Sequence, residues 1–218
     1  MPKDTKSSRH AAEIMRRLHA EYPDAHCELD YENPLQLLIA TILSAQCTDV
    51  RVNIVTKKLF QKYISPEDYL KVPQEELEED IHSTGFYKNK TRNIRGSCQK
   101  IIDDFNGEVP QTMEELLTLP GVARKTGNVV LGVAFGISKG VVVDTHVKRV
   151  SFRLGMTRQT DPKKVEQDLI KILPEQDWIF AGHAIIWHGR RVCYARKPHC
   201  SECVLEDICP KHGVHDRQ

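Results

Sequence analysis

The stretch that decides the fold is Leu119-Pro120-Gly121-Val122-Ala123-Arg124-Lys125-Thr126. Adjacent proline and glycine predict a tight turn, because proline presets φ and glycine tolerates a positive φ. A short amphipathic segment precedes the turn, and an apolar run at 129–135 follows it. The stretch therefore predicts a helix, a hairpin turn and a second helix that begins with Arg124 and Lys125. Backbone N–H groups at such a helix start attract an anion, for example a DNA phosphate.

The overall composition is that of an ordinary globular protein. The chain has 218 residues, of which 40% are hydrophobic and 28% charged, and it can bury a core as one domain or two compact lobes. No apolar run approaches the roughly 18 residues of a membrane helix, and 1–17 lacks the apolar segment of a secretion signal. We therefore expect a cytoplasmic protein, with no membrane segment and with its cysteines in a reducing compartment.

Charge is unevenly distributed along the chain. Six basic residues and one acid, Asp144, lie between Gly121 and Arg153, whereas Glu67–Asp80 holds seven acids and one lysine. Such segregation can give a positive face for DNA even though the formal net charge is only +1. Solvated surface charge is the alternative interpretation.

Apolar residues recur at helical spacing over most of the chain. The clearest case is Pro34–Gln46, a buried helix opened by Asn33, and Thr112 with Glu115 forms a capping box before the hairpin. A basic helix with Lys88, Lys90, Arg92 and Arg95 follows Gly85-Phe86-Tyr87. Further helices are expected at 10–22, 49–64, 73–82, 144–154, 161–173 and 178–194. Only 141–143 has the composition of a strand, so the predicted fold class is all-α.

Four cysteines are clustered near the end of the chain. Cys193, Cys200, Cys203 and Cys209 have the spacing C-x6-C-x2-C-x5-C, and four thiolates so close in sequence can surround one ion or cluster. Free thiols or disulfides are the alternative, which a reducing compartment disfavours. Zn²⁺ and a 4Fe–4S cluster both suit four cysteines, and the spacing does not decide between them.

Lys125 and Asp144 are the candidate catalytic pair. The spacing alone favours a role for Lys125 as a phosphate contact. Alternatively, its amine could attack C1′ of a damaged nucleotide and form a Schiff base. Asp144 stands directly before a predicted helix, where aspartate is a common N-cap. A carboxylate held there could also take the proton of the amine or stabilise positive charge on the sugar.

These motifs together resemble the endonuclease III family, DNA base-excision glycosylases of the helix-hairpin-helix superfamily. The resemblance covers nearly the whole chain and rests on Leu43-Ser44-Ala45-Gln46, Gly85-Phe86-Tyr87, Leu119–Lys125 with Val143–His146, and the four-cysteine spacing. It implies a 4Fe–4S cluster rather than Zn²⁺. It also implies two lobes: a six-helix barrel with the helix-hairpin-helix motif, and a second helical lobe with the C-terminal iron–sulfur loop. We expect domains at 27–138 and at 1–26 with 139–218, and an active site in the cleft between the lobes.

The resemblance also implies individual roles. Lys125 matches the Schiff-base lysine and Asp144 the catalytic aspartate of the family. Gln46 matches the residue that fills the gap left by an extruded nucleotide, and Phe86 stands where an apolar wedge, usually leucine, meets the opposite strand. The residues expected to contact DNA are Gln46, Phe86, Gly121, Val122, Ala123, Arg124, Arg149 and Arg191.

Two positions depart from the family pattern. Ala123 stands where glycine is usual and Gly127 where alanine is usual. Ala123 is expected to alter how closely the hairpin backbone approaches a phosphate. Gly127 is expected to weaken the following helix slightly.

The predicted function is therefore base-excision repair by a bifunctional enzyme. It removes oxidised pyrimidines from double-stranded DNA, and its AP lyase activity cuts the strand 3′ to the lesion by β-elimination. We expect a monomer, nucleoid-associated if the source is prokaryotic. The alternatives are a monofunctional adenine-mismatch glycosylase, whose family lacks the lysine, and a non-catalytic iron–sulfur DNA-binding module.

Overall fold

The computed structural model of the chain describes residues 5–214, and it contains no strand in that range, so the all-α prediction is confirmed. The helices are α1 (Lys6–Glu21), α2 (Pro34–Leu43), α3 (Asp49–Lys62), α4 (Asp68–Lys71), α5 (Gln74–Asp80), α6 (Tyr87–Phe105), α7 (Met113–Leu116), α8 (Arg124–Val129), α9 (Thr145–Arg153), α10 (Pro162–Ile172) and α11 (Trp178–Arg191). A π-helical segment, Val130–Ala134, continues α8, and 3-10 turns lie at His82–Thr84, Glu175–Asp177 and Cys200–Glu202. No helix within the described range is long and apolar enough to span a bilayer.

The chain folds into two compact units. Glu28–Lys139, with α2 to α8, forms the hairpin unit; the segment that ends at Cys27 and the segment that begins at Gly140, with α1 and α9 to α11, form the cysteine unit. The prediction of two helical lobes is thus confirmed. The finer domain bounds stay a prediction, and they extend into 1–4 and 215–218, which lie outside the described residues.

α2 is the central helix of the hairpin unit. Its start is fixed by Asn33, whose side chain accepts the N–H of Gln36 at 3.0 Å, as the sequence predicts. Eight of its ten residues are buried, and it packs against α3, α6 and α8. It ends at Leu43, earlier than predicted, because Gln46 adopts a left-handed backbone with φ of 53°.

The core of the cysteine unit lies among α1, α9, α10 and α11. Fully buried aliphatic side chains from each helix meet there, including Leu18, Val150, Leu169 and Ile185, and burial of each such side chain contributes about 1.5–3 kcal/mol. The short segment 141–143 is buried too, although it forms no strand. This core supports the start of α9 and the loop that follows α11, which contains the four clustered cysteines.

Candidate active site and cysteine loop

The hairpin turn packs closely against α6, and this contact is called the seat on α6. Gly121 has φ of +79°, and a Cβ added there would lie 2.8 Å from the Cβ and Nδ2 of Asn93. One turn further along α6, the hydroxyl of Ser97 donates to the carbonyl of Pro120 at 2.7 Å, and a Cβ added at Gly96 would lie 3.0 Å from Pro120 Cγ. Gly121 is thus required twice, for its backbone conformation and for its close approach to α6.

The seat on α6 was missed by the sequence reasoning. Asn93, Gly96 and Ser97 follow the i, i+3, i+4 spacing of one helix face. Gly96 and Ser97 are small, and small residues on a helix face indicate that another backbone approaches closely, so a signal was present in the sequence.

The start of α8 carries the predicted nucleophile. Lys125 is exposed on the first turn, and Arg124 is half-buried, with Nη2 donating to the carbonyl of Lys139 at 3.3 Å. Within the described part of the chain, no side chain caps α8, so its first N–H groups are accessible to an anion. Val122 is buried and Ala123 is exposed.

The two departures from the family pattern have different structural consequences. Ala123 is the N-cap of α8 with φ of −98°, a conformation that any residue adopts, so the backbone does not require glycine there. A Cβ at Gly127 would lie 2.6 Å from the sulfur of Met113. The missing methyl group at Gly127 is therefore matched by the long side chain of Met113 on α7.

Gln46 and Phe86 share an unusual conformation. Both are non-glycine residues in the left-handed region, with φ of 53° and 51°, and both side chains are exposed, Phe86 to 65%. Such backbone strain, about 1–2 kcal/mol per residue, persists only where the surroundings enforce it and is concentrated at functional sites. The structure thus gives these two predicted DNA contacts a common property that the sequence did not reveal.

The basic helix α6 does not present all of its charge to solvent. Lys88 and Arg92 are exposed, whereas Lys90 is only 4% exposed. Arg95 donates to the carbonyls of Tyr69 and Val72 at 2.8 Å each. The predicted basic helix is present, but Lys90 and Arg95 bind backbone carbonyls of other segments.

Asp144 is the N-cap of α9 in the cysteine unit. Its Oδ1 accepts the N–H of Val147 at 2.8 Å, which fixes the half-buried carboxylate in one orientation. Burial lowers the pKa of the neighbouring His146, whose Nδ1 accepts a hydrogen bond from Arg149 at 3.2 Å. The capping function predicted for Asp144 is confirmed. Lys125 and Asp144 belong to different units, so their cooperation stays a prediction.

Three arginines of the cysteine unit have protein partners. Arg149 donates to the carbonyls of Gly189 and Cys193 at 2.8 and 3.1 Å, and the Arg191 guanidinium stacks on Trp187 at 3.9 Å. Arg153, only 6% exposed, donates to backbone carbonyls of the cysteine loop. The sequence predicts Arg149 and Arg191 as DNA contacts; Arg149 also holds the start of that loop.

All four C-terminal cysteines line one pocket. Several N–H groups point at their sulfurs: Arg153 Nη1 to Cys193 at 3.3 Å, Leu205 N to Cys203 at 3.4 Å and Lys211 N to Cys209 at 3.4 Å. Within residues 5–214 no three Cys, His, Asp or Glu side chains are close enough to hold a single metal ion; the thiols surround the pocket instead.

The donor set fits an iron–sulfur cluster. Burial raises the pKa of Cys203 to about 11 and also that of Cys209, so these thiols need a cationic partner to be held as thiolates. N–H groups directed at sulfur are the contacts that stabilise cluster thiolates and tune the cluster. The loop also has little apolar content of its own, and a bound cluster would supply the order that its packing lacks.

Comparison with known proteins defines the class. A model of the HhH-GPD superfamily of base excision DNA repair proteins matches residues 39–175, which include the hairpin and Asp144. A model of the iron–sulfur binding domain of endonuclease III matches residues 193–209, from the first cysteine of the loop to the last. The fold and the cysteine loop are therefore those of a base-excision DNA repair protein.

Similar proteins and solved structures identify the family within this class of DNA repair proteins. Endonuclease III of Synechocystis sp. is 60% identical over 92% of this chain and 91% of its own length. A non-covalent endonuclease III–DNA complex is 49% identical with a TM-score of 0.90, over 94% of this chain and 95% of that one. A trapped endonuclease III–DNA covalent intermediate is 50% identical, also with a TM-score of 0.90, over 94% and 96%. The chain belongs to the endonuclease III family.

Family membership confirms the main predictions drawn from the sequence. The protein is a DNA glycosylase and AP lyase of base-excision repair, its substrate is DNA, and its four-cysteine loop holds an iron–sulfur cluster.

Proposed function

We propose that this protein removes oxidised pyrimidines from double-stranded DNA and then cuts the abasic strand, with Lys125 as the nucleophile of both reactions. Membership of the endonuclease III family carries this proposal. The position of Lys125 supports it, because the residue is exposed on the first turn of α8, directly after the hairpin. A phosphate held by the N–H groups of that turn would place the adjoining sugar within reach of the lysine.

The reaction proceeds through a covalent intermediate. The neutral amine of Lys125 attacks C1′, the glycosidic bond breaks, and its electron pair leaves with the base, which is then protonated. The nitrogen then loses a proton and its lone pair forms the C=N bond of a protonated Schiff base, while the C1′–O4′ bond breaks and O4′ takes up the electron pair and a proton. Loss of a proton from C2′ expels the 3′ phosphate, and hydrolysis of the resulting conjugated imine returns the lysine.

Asp144 is the proposed acid–base partner in this sequence. Its carboxylate can take a proton from the amine and stabilise the positive charge that develops on the sugar. The hydrogen bond from the N–H of Val147 holds the carboxylate in one orientation, which reduces the cost of reorganisation during the reaction. An amide at this position would keep the cap but lose the charge.

The damaged nucleotide must leave the stack before Lys125 can reach C1′. We propose that Gln46 fills the gap left in the duplex and that Phe86 inserts against the opposite strand. Both side chains are exposed in the hairpin unit. The backbone of Gly121, Val122 and Ala123, with Arg124, is the proposed phosphate contact on the damaged strand. The cluster, when bound, orders the cysteine loop, and Arg191 is a proposed phosphate contact beside it.

Borohydride reduction tests the nucleophile. The wild-type protein, incubated with a duplex that contains one abasic site and then reduced, is expected to form a stable protein–DNA adduct. Lys125→Gln should abolish the adduct, whereas Lys139→Gln should keep it, because Lys139 is exposed and binds Arg124 through its backbone carbonyl, which the variant retains. The absence of an adduct in the wild type would refute the lyase mechanism, and an adduct in Lys125→Gln would refute the assignment.

A set of duplexes with single lesions tests the substrate class. We expect release of oxidised pyrimidines and no release of adenine from a mismatch. Adenine release without strand cutting would favour the adenine-mismatch alternative. We further propose that the protein acts as a monomer in the cytoplasm, associated with the nucleoid if the source is prokaryotic.

A further inference from the structure

The buried lysine of α6 joins the two segments that lead to Gln46 and Phe86. Lys90 Nζ donates to the carbonyl of Leu43 at 2.8 Å and to the carbonyl of Thr84 at 2.8 Å. Leu43 is the last residue of α2, three residues before Gln46, and Thr84 ends the 3-10 turn two residues before Phe86. One ammonium group therefore binds the end of each segment just before its strained residue.

This arrangement is electrostatically favourable and costly to lose. Carbonyls at helix ends carry partial negative charge and lack a helical hydrogen-bond partner. A lysine ammonium group at this position supplies both a positive charge and hydrogen-bond donors. The Lys90 side chain is only 4% exposed; burial lowers its pKa, with Cys47 as the opposing influence. A protein keeps such a buried cation only where its hydrogen bonds offset the desolvation.

The two segments need such a tie because of their backbone strain. Gln46 and Phe86 have positive φ and their exposed side chains lack the packing that would fix a loop. Small shifts in either loop would move the side chain relative to the other. Gln46 and Phe86 are proposed to insert at opposite strands of one duplex. Because the spacing of stacked bases is fixed, the separation of the two side chains must stay constant.

We infer that Lys90 is a positioning residue for nucleotide extrusion, which sets Gln46 and Phe86 in the mutual geometry that lets both enter the DNA duplex. This inference rests on the proposed function of those two residues. Lys90 itself is buried and acts through the backbone of the Gln46 and Phe86 segments, without contact to the substrate. Its effect should therefore appear in lesion binding and be absent from binding to undamaged duplex.

The test uses the holoenzyme and a duplex with a tetrahydrofuran abasic analogue, which cannot form the Schiff base. A 2-aminopurine opposite the analogue reports unstacking by a rise in fluorescence. In Lys90→Met we expect about a tenfold loss of affinity for the analogue duplex, equivalent to about 1.4 kcal/mol, and a smaller fluorescence rise. Affinity for undamaged duplex should stay within about twofold, well under that tenfold step.

Arg95→Met is the matched control. Arg95 lies on the same helix and also donates to backbone carbonyls, those of Tyr69, Leu70 and Val72. These carbonyls lie in α4 and directly after it, away from the segments that lead to Gln46 and Phe86. Arg95→Met should lower thermal stability as Lys90→Met does and leave the ratio of lesion to undamaged affinity unchanged. An equal fall of this ratio in both variants would overturn the inference.

A double-mutant comparison separates positioning from general stability. In a Gln46→Ala, Phe86→Ala background, Lys90→Met should cost no further lesion affinity, because the side chains it positions are gone. A full tenfold loss in that background would also overturn the inference. If Lys90→Met does not fold, Lys90→Gln, whose amide can donate to one carbonyl, is judged by the same two criteria.

Failure of the proposed function gives a different result. Reduction with borohydride on a single-stranded abasic oligonucleotide needs no insertion into a duplex. Adduct formation there should be equal in the wild type and Lys90→Met. A wild type that forms no adduct, yet loses lesion affinity through Lys90→Met, would refute the lyase proposal and leave the positioning role supported.

Discussion

Gly121→Ala should damage the hairpin in two separable ways. The backbone at Gly121 has φ of +79°, and an alanine in the left-handed region costs about 1–2 kcal/mol. The new Cβ would also lie 2.8 Å from two atoms of Asn93, and overpacking of this kind costs about 1–3 kcal/mol. We therefore expect the free energy of unfolding to fall by about 2–5 kcal/mol.

Gly107→Ala is the control that isolates the backbone contribution. Gly107 has φ of +81° in the same unit, and a Cβ there meets nothing within 4 Å. It should lose only the conformational cost, about 1–2 kcal/mol. The difference between the two variants, about 1–3 kcal/mol, measures how tightly the hairpin is pressed onto α6.

Urea unfolding followed by helical circular dichroism measures both losses, provided that the slope m is equal in the variants. DNA binding gives the second readout. Since relief of the Asn93 contact must move the hairpin off α6, Gly121→Ala should weaken binding to an abasic-analogue duplex by about tenfold, or about 1.4 kcal/mol, and Gly107→Ala should not. Equal destabilisation and equal DNA affinity in the two variants would refute the seat on α6.

Two further predictions concern the cysteine unit. Arg153→Met removes hydrogen bonds to Cys193 Sγ at 3.3 Å and to the carbonyls of Tyr194 and Ala195 at 2.6 and 3.0 Å. We expect the free energy of unfolding to fall by at least about 3 kcal/mol and the iron content per protein to fall as well. The control Arg158→Met, at an exposed position, should change neither the stability nor the iron content. His183, 8% exposed, has its pKa lowered to about 4 by burial and secondarily by His26. Between about pH 6.5 and 4 the unfolded chain therefore binds a proton that the folded chain does not, so acidification through this window should cost about 3 kcal/mol. In His183→Gln, the free energy of unfolding should depend less on pH between about pH 6.5 and 4 than it does in the wild type. Equal pH dependence in the two proteins would contradict the role given to His183.

Local signals in the sequence were sufficient wherever a neighbouring residue decides the structure. Asn33, Thr112, Asp144 and Asp161 were predicted as helix starts, and each side chain accepts the N–H three residues later. An N-cap needs only a short polar side chain at the right offset, so the sequence contains the whole interaction. The cysteine spacing is similarly local, since its four members lie within 17 residues of chain (193–209).

Contacts between distant residues were not predictable in the same way. The sequence predicts a basic helix that contains Lys90 and Arg95, but it does not show that these two side chains find partners inside the protein. Their partners are backbone carbonyls 6 to 47 residues away, and every residue type carries a carbonyl, so no sequence pattern marks them. Arg149 and Arg153 reach across about 40 residues to the cysteine loop for the same reason.

The same limitation explains where the functional prediction stopped. Gln46 was recognised through its resemblance to a family motif, yet its strained backbone has no local signal, since glutamine at positive φ is uncommon and no glycine marks the turn. The structure adds the hydrogen bond from Lys90 to the carbonyl of Leu43, three residues before Gln46. The roles predicted for Lys125, Asp144 and the cysteines depend on their own side chains, so the sequence was enough to propose them. The positioning role that we infer for Lys90 depends on contacts with backbone carbonyls, and only the folded chain reveals these contacts.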